Sequence, residues 1–287
     1  MVDATAESGY RRYCERELRG HDHDRYLASL MVSGNTRRAL TALYAFNLEI
    51  ARTREVVTET LLGEMRLQFW RETIDEIYRG DGARQHPVAQ ELSWAISNYH
   101  LAKEPIDHLL AARHRDLSDE PPASLAELDR YVEATSAGLL EVAIGTAGAA
   151  NETVTQVTRD IGVSFGLSGL LRAVPFHARQ RRLYLPTDLL EQADIDRETV
   201  FAGRFSPGLA TVIQQVAERA RGRLTAARQS WSVVPRAQRP VLLLGSLADL
   251  DLHRLRQVSH NPFDPKICFL PLRRLIQLIT ARLTGRL

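Results

Sequence analysis

Apolar positions recur along this chain at the spacing of α-helices. Residues three and four positions apart lie on one face of a helix, whereas the two-residue alternation of a strand is almost absent. The pattern therefore predicts an all-α fold with short connections, as in a helical bundle. It is clearest in two runs: Leu40, Leu43, Tyr44, Phe46, Leu48 and Ile50, and then Leu61, Leu62, Met65, Phe69, Ile74 and Ile77.

Capping and breaking residues predict where several helices begin and end. Ser124–Glu127 has the sequence of a capping box, and Ser206 provides a capping hydroxyl before Pro207. Helices should end at Gly80–Gly82, at Pro121–Pro122 and at Asn261–Pro262. The predicted elements thus follow one another closely along the chain.

Length and composition are those of a globular protein. The chain has 287 residues, 44% hydrophobic and 25% charged, and no internal repeat divides it. We predict a single domain over residues 1–287, in which residues 179–199 form a loop with short helical turns. Neither an apolar run of about eighteen residues nor a signal-peptide core is present, so we expect a cytoplasmic protein.

Charge and cysteine content exclude some classes of function. The net charge of +2 is too small to indicate nucleic acid as a partner. Cys14 and Cys268 are far apart and fit neither a disulfide framework nor a zinc site. We expect both to be ordinary thiols.

The last segment, Pro271–Leu287, is predicted to be a basic amphipathic helix. One interpretation is a helix that packs through its apolar face and leaves its arginines in water. The other is contact with a partner protein or with an anionic surface, such as the inner face of the cytoplasmic membrane. The predicted apolar face consists of Leu272, Leu275, Ile276, Ile279 and Leu283.

Two stretches, Tyr44–Glu55 and Leu170–Pro186, resemble the motif regions of the squalene/phytoene synthase family. Asp24–Ser29, Leu67–Glu72 and Tyr131–Ser136 resemble other segments of the same family in the same order. The resemblance implies an isoprenoid-synthase-type helical bundle around a central cavity. Members of that family join two prenyl diphosphates head to head.

The positions that hold magnesium in that family have lost most of their carboxylates. Carboxylates four residues apart on a helix share magnesium ions, and the family has two such Asp-x-x-x-Asp pairs. The first pair corresponds here to Ala51 and Glu55, and the second to Ala173 and His177. Alanine has no ligand atom and histidine suits magnesium poorly. We therefore predict no metal site.

The surroundings of both motifs strengthen this prediction. Arg52 and Arg54 would repel divalent cations beside the first motif. Pro175 removes a helical hydrogen bond, so the second motif's helix should end or kink near Arg172. Even if aspartates were restored at these positions, their carboxylates would then not point toward a shared magnesium ion.

The resulting hypothesis is a non-catalytic member of the family that needs no cofactor. Leu171–Ala178 and Leu270–Leu272 resemble the branch of the family that assists assembly of mitochondrial complex I, which implies complex I subunits as partners. A prenyl or other lipid in the cavity is a further hypothesis, with arginines able to hold a phosphate directly. The candidate ligand-binding residues are Tyr26, Tyr44, Arg52, Arg172, Arg179 and Tyr184.

Other interpretations stay open. An active prenyltransferase would need magnesium held by Glu55, Glu49 or other carboxylates in an unusual geometry. Binding to a membrane surface or to nucleic acid through arginines alone is a further alternative. Each site residue also has a structural interpretation: Glu55 as an ion pair with Arg52 or Arg54, His177 as a packed imidazole, and the aromatics as core or cavity wall.

Overall fold

The computed structural model describes residues 4–57, 59–267 and 270–287. In these ranges it has sixteen α-helices, in chain order: α1 (Ala4–His21), α2 (His23–Ser29), α3 (Gly34–Ala51), α4 (Thr53–Val56), α5 (Thr60–Arg79), α6 (Pro87–Tyr99), α7 (Lys103–Ala112), α8 (Leu125–Val132), α9 (Gly138–Ile144), α10 (Glu152–Arg172), α11 (Val174–Arg179), α12 (Thr187–Gln192), α13 (Arg197–Phe201), α14 (Pro207–Gln229), α15 (Leu244–Gln257) and α16 (Pro271–Thr284).

The remaining regular elements are also helical. A π-helical turn spans Glu133–Ala137. No strand occurs in the part of the chain that the structure describes, which confirms the all-α prediction. No helix in the same part has the length and apolarity needed to span a membrane. The 3₁₀ turns are Arg113–Leu117, Gly145–Ala147, Trp231–Val233, Arg239–Leu242 and Pro265–Ile267.

The chain divides into two compact units, each assembled from separate stretches. The first unit consists of Met1–Ser118, Gly138–Asn151 and Pro235–Leu242. The second consists of Asp119–Ala137, Glu152–Val234 and Leu243–Leu287. The single domain over residues 1–287 stays a prediction.

In the first unit, α3 packs against α1 and α6. The predicted apolar face of α3 is buried, including Phe46, whose ring centroid lies 5.3 Å from that of Trp70. The second predicted run forms α5, but only its later part is buried. Leu61 and Met65 in the first turns are more than 60% exposed, because in these turns α5 packs through Gly63, which is buried, and not through its large apolar side chains.

In the second unit, α10 packs against α14, α15 and the π-helical turn. A β-carbon on Gly162 would collide with the backbone of Ala137, so glycine is what allows this close approach. Helix α10 ends at Arg172, and α11 begins with Pro175 in its first turn. The break predicted from Pro175 is therefore confirmed, as are the short helical turns predicted within residues 179–199.

Helix α16 corrects the interpretation that the final helix packs through its apolar face. Arg274 is fully buried together with Leu278 and Ala281, although we predicted solvated arginines. Its guanidinium donates to both carboxylate oxygens of Asp251 in α15, over 2.6 and 3.0 Å. A buried charge must be paired, so this ion pair determines which face of α16 points inward.

Only one of the two cysteines lies within the described residues. Cys14 is buried in α1 with a free thiol, and burial raises its pKa to about 12. This agrees with the expected ordinary thiol. Cys268 lies outside the described residues.

Candidate functional site

The first motif position lies where α3 ends. Ala51 is the last residue of α3, Arg52 leaves the helical conformation, and Glu55 belongs to the four-residue helix α4. The spacing of four that places two ligands on one face requires a continuous helix. That continuity is interrupted between positions 51 and 55.

The carboxylates near the first motif already have cationic partners. Arg52 donates from Nε to Oε2 of Glu55 over 3.1 Å, which confirms the ion pair predicted as the structural interpretation of Glu55. Glu49 accepts a hydrogen bond from Arg66, which is 17 residues away in sequence. Both carboxylates that the prenyltransferase alternative would use are therefore neutralised by arginine.

Tyr44 and Tyr26 differ in their degree of burial. Tyr44 lies in the core of the first unit, and desolvation by burial raises its pKa. Its hydroxyl has no hydrogen-bond partner among the residues described, and the guanidinium of Arg25 lies 5.9 Å from its ring. Tyr26 is half-buried, with its ring 5.9 Å from that of His23.

The second motif position lies in the second unit, across the break between α10 and α11. Ala173 precedes α11, and its carbonyl accepts the backbone N–H of His177 over 2.9 Å. The imidazole of His177 lies 4.7 Å from the ring of Tyr184, whose ring is 5.8 Å from that of Tyr131. His177 is thus a packed imidazole within an aromatic row.

The two predicted arginines of the second unit, Arg172 and Arg179, differ in their surroundings from each other and from the nearby Arg182. Arg172 donates from Nη1 to Oδ2 of Asp251 over 2.8 Å, so it joins Arg274 on the same carboxylate. Arg179 is exposed at the end of α11. The guanidinium of Arg182 lies 5.4 Å from the ring of Tyr184.

Three arginines surround one buried carboxylate in this cluster. Arg254 is buried and lines the same small cavity as Arg172 and Asp251. Burial lowers the pKa of Arg254, and the neighbouring Arg273 lowers it further. Sequence reasoning missed Asp251, Arg254 and Arg274 as a cluster. Asp251 and Arg254 are three residues apart on α15, but Arg172 and Arg274 lie on other helices, and no spacing in sequence brings these to Asp251.

The residues at the two motif positions do not fit a magnesium cluster. A hard divalent cation requires several oxygen ligands, and of the four positions only Glu55 supplies a carboxylate, which accepts from Arg52. In the described ranges, no group of three or more His, Cys, Asp or Glu side chains is arranged to hold a metal ion.

Comparison with known sequences gives two kinds of relative. Residues 18–276 match the squalene/phytoene synthase family. The chain is 31% identical to NADH dehydrogenase (ubiquinone) complex I, assembly factor 6, of Bos taurus over 274 residues, which cover 94% of this chain and 82% of that protein. It is 28% identical to a phytoene synthase of Thermus thermophilus over 212 residues, covering 72% and 69% respectively.

Comparison with solved structures identifies the fold. A dehydrosqualene synthase superposes with a TM-score of 0.84 at 15% identity, covering 98% of both chains. Squalene synthase HpnC from Alicyclobacillus acidocaldarius gives 0.78 at 20% identity, covering 91% of this chain and 98% of that one. These likenesses confirm the predicted isoprenoid-synthase-type helical fold.

Proposed function

The chain belongs to the squalene/phytoene synthase family, and we propose that it is a non-catalytic member that acts in the assembly of respiratory complex I. The non-catalytic part of this proposal rests on the residues that occupy the two motif positions. They hold Ala51, Glu55, Ala173 and His177, and the one carboxylate among them accepts from Arg52.

The physical argument concerns the diphosphate leaving group. Departure of diphosphate requires neutralisation of its charge, which the family's magnesium ions supply. A magnesium ion at the first motif would have to displace Arg52 from Glu55 and would find no second carboxylate at position 51. At the second motif it would meet Ala173, which lies at the break between α10 and α11, and His177 within α11.

The second part of the proposal rests on the relatives. The similarity to the complex I assembly factor 6 proteins extends over nearly the whole chain, including both motif regions. We therefore transfer the role that their name states, assembly of complex I. Complex I subunits are the proposed partners.

Lipid binding is a separate proposal. The predicted phosphate-binding arginines Arg52 and Arg172 are bonded to Glu55 and Asp251. A phosphate would have to compete with these carboxylates. If Arg52→Ala and Arg172→Ala together leave the lipid retained by the purified protein unchanged, this proposal is wrong.

One experiment tests whether the protein is catalytic. Release of diphosphate from farnesyl and geranylgeranyl diphosphate is measured with and without magnesium or manganese. The Thermus thermophilus phytoene synthase serves as the active control, and Glu55→Gln is the matched variant. We expect no metal-dependent release above background. Release by the wild type that Glu55→Gln abolishes would contradict the proposal.

A second experiment tests the assembly role. Deletion of the gene in its own organism should lower the amount of assembled complex I on native gels, and re-expression should restore it. Because the proposed role needs no chemistry at Glu55, Glu55→Gln should restore complex I as fully as the wild type. Unchanged complex I after deletion would contradict the role even if the protein proves inactive.

Head-to-head prenyl transfer is the second candidate function. The similarity to a phytoene synthase over 212 residues favours it. It predicts a squalene- or phytoene-like product and metal-dependent turnover. Both are absent under the first proposal, so product extraction from the same assay distinguishes the two.

A further inference from the structure

Helix α16 carries an exposed stripe of aliphatic side chains. We define the α16 stripe as Leu272, Ile276, Ile279 and Leu283, which are 69%, 53%, 42% and 81% exposed. At about 100° of rotation per residue, the four lie within about 60° of one another on the helix surface. A continuous row of exposed apolar side chains is typical of an interaction site.

The exposure follows from how α16 is anchored. The buried face, Arg274, Leu278 and Ala281, is centred about 160° from the stripe around the helix axis. The ion pair between Arg274 and Asp251 holds this face inward. Turning the stripe inward would bring Arg274 out and leave Asp251 without this partner. The outward stripe is therefore a consequence of the packing of the second unit.

Cations border the α16 stripe. Arg273 and Arg282 are exposed and lie on opposite sides of it, and Arg286 is exposed beyond the end of the helix. Residues 265–287 contain no Asp or Glu. A negatively charged surface is thus complementary to this helix, while nothing on the helix itself repels it.

We propose that the α16 stripe docks the protein on an anionic lipid surface, with the stripe in the acyl boundary and the bordering arginines at the headgroups. A helix of this kind lies in the interface plane and buries its apolar face about 5–10 Å deep. From Leu272 to Leu283 the stripe is about 17 Å long. The proposal does not depend on the proposed assembly role.

A lipid surface fits these observations better than a protein partner does. Four aliphatic side chains bury roughly 250–500 Å² in total, from their transfer free energies at about 25 cal/mol per Å². A stable protein interface buries about 800 Å² on each partner. Protein interfaces are also enriched in aromatic residues and methionine, and the stripe has neither.

The test measures sedimentation of the full chain with vesicles of phosphatidylcholine alone or mixed with phosphatidylglycerol. We expect binding to the anionic vesicles only. Ile276→Gln with Leu283→Gln should weaken it about tenfold or more, because half of the apolar stripe is lost. Arg273→Gln with Arg282→Gln should weaken it too. Raising the salt from about 0.01 M to about 1 M should do the same to the wild type, since the Debye length falls from about 30 Å to about 3 Å.

The control variant is Leu61→Gln with Met65→Gln, an exposed aliphatic pair in the first unit. It should bind vesicles like the wild type. All variants should keep the wild-type midpoint of thermal unfolding, because every substituted side chain is exposed. A stripe variant that unfolds earlier is replaced by Leu283→Gln alone, at the most exposed of the four positions.

Two results would overturn the proposal. One is equal binding of the wild type and the stripe variant to anionic vesicles. The other is absence of wild-type binding to anionic vesicles. In that case, self-association that the stripe variant abolishes would make the stripe an interface between copies, and stripe-dependent capture of complex I subunits would make it a protein-docking surface.

Discussion

The buried ion pair of Arg274 and Asp251 provides the sharpest test of how the second unit is held together. Arg274 is fully buried and makes two hydrogen bonds to Asp251, which also accepts from Arg172. Removal of one member of a buried pair costs about 3–5 kcal/mol, because the remaining charge loses its partner without regaining water. Asp251→Asn removes the charge of the carboxylate that Arg274 and Arg172 share, so we expect the upper part of that range.

Arg274→Met should cost less than Asp251→Asn. Asp251 keeps Arg172, whose side chain is 26% exposed, and methionine fills much of the volume of the arginine stem. We expect about 3 kcal/mol. The double variant Asp251→Asn with Arg274→Met removes both charges, and its cost should fall short of the sum of the single costs by about 2–3 kcal/mol.

The assay is equilibrium unfolding in urea. Free energies of unfolding are compared between variants for which the slope of this free energy against urea concentration is the same. Arg273→Met is the matched control, since Arg273 is exposed on the same helix, and it should change stability by less than about 0.5 kcal/mol. Additive costs of the two single variants, within about 0.5 kcal/mol, would refute the reasoning. They would mean that the two side chains do not act as a pair.

Three further predictions concern other parts of the chain. Gly162→Ala should destabilise the protein by about 1–3 kcal/mol in urea unfolding, because the added β-carbon meets the backbone of Ala137. Gly169→Ala on the same helix places its β-carbon in open space and should stabilise the protein by about 0.5–1 kcal/mol. Burial lowers the pKa of His86, whose Nδ1 accepts the N–H of Val88, so stability should be complete above the unfolded pKa of about 6.5 and fall as the pH drops below it. His86→Asn should reduce the loss of unfolding free energy between about pH 7.5 and pH 5.5, and an unchanged loss would assign it to other groups. Glu55→Ala should change the stability measured by thermal unfolding by less than about 1 kcal/mol, since the side chains of Glu55 and Arg52 are both about 30% exposed. A larger loss of stability would show that Glu55 has a structural role.

Much of the fold was predictable from local patterns in the sequence. Helical periodicity predicted α3 and α5, and the caps at Ser124 and Ser206 accept the backbone N–H groups expected of them. Pro175 predicted the end of α10, since a proline cannot donate the hydrogen bond that continues the helix. These features depend on neighbours a few residues away, which the sequence places directly.

The chemistry of the motif positions was partly predictable as well. The missing carboxylates at Ala51, Ala173 and His177 are visible in the sequence, and so is an arginine three residues before Glu55. The bond between Glu49 and Arg66 joins different helices, so no spacing rule indicates it.

Only the tertiary structure decided which face of an amphipathic helix is buried. By sequence alone, the apolar row of α16 could be a packing face or a contact surface, and the apolar residues in the first turns of α5 do not differ in type from the later ones. In the folded chain, Asp251 on α15 requires a buried cation, and Arg274 supplies it, so the apolar row turns outward. Periodicity identifies the faces of a helix, but partners on other helices decide which face is buried. Here the buried face carries Arg274, whose carboxylate partner lies on α15, and no spacing rule within α16 indicates that partner.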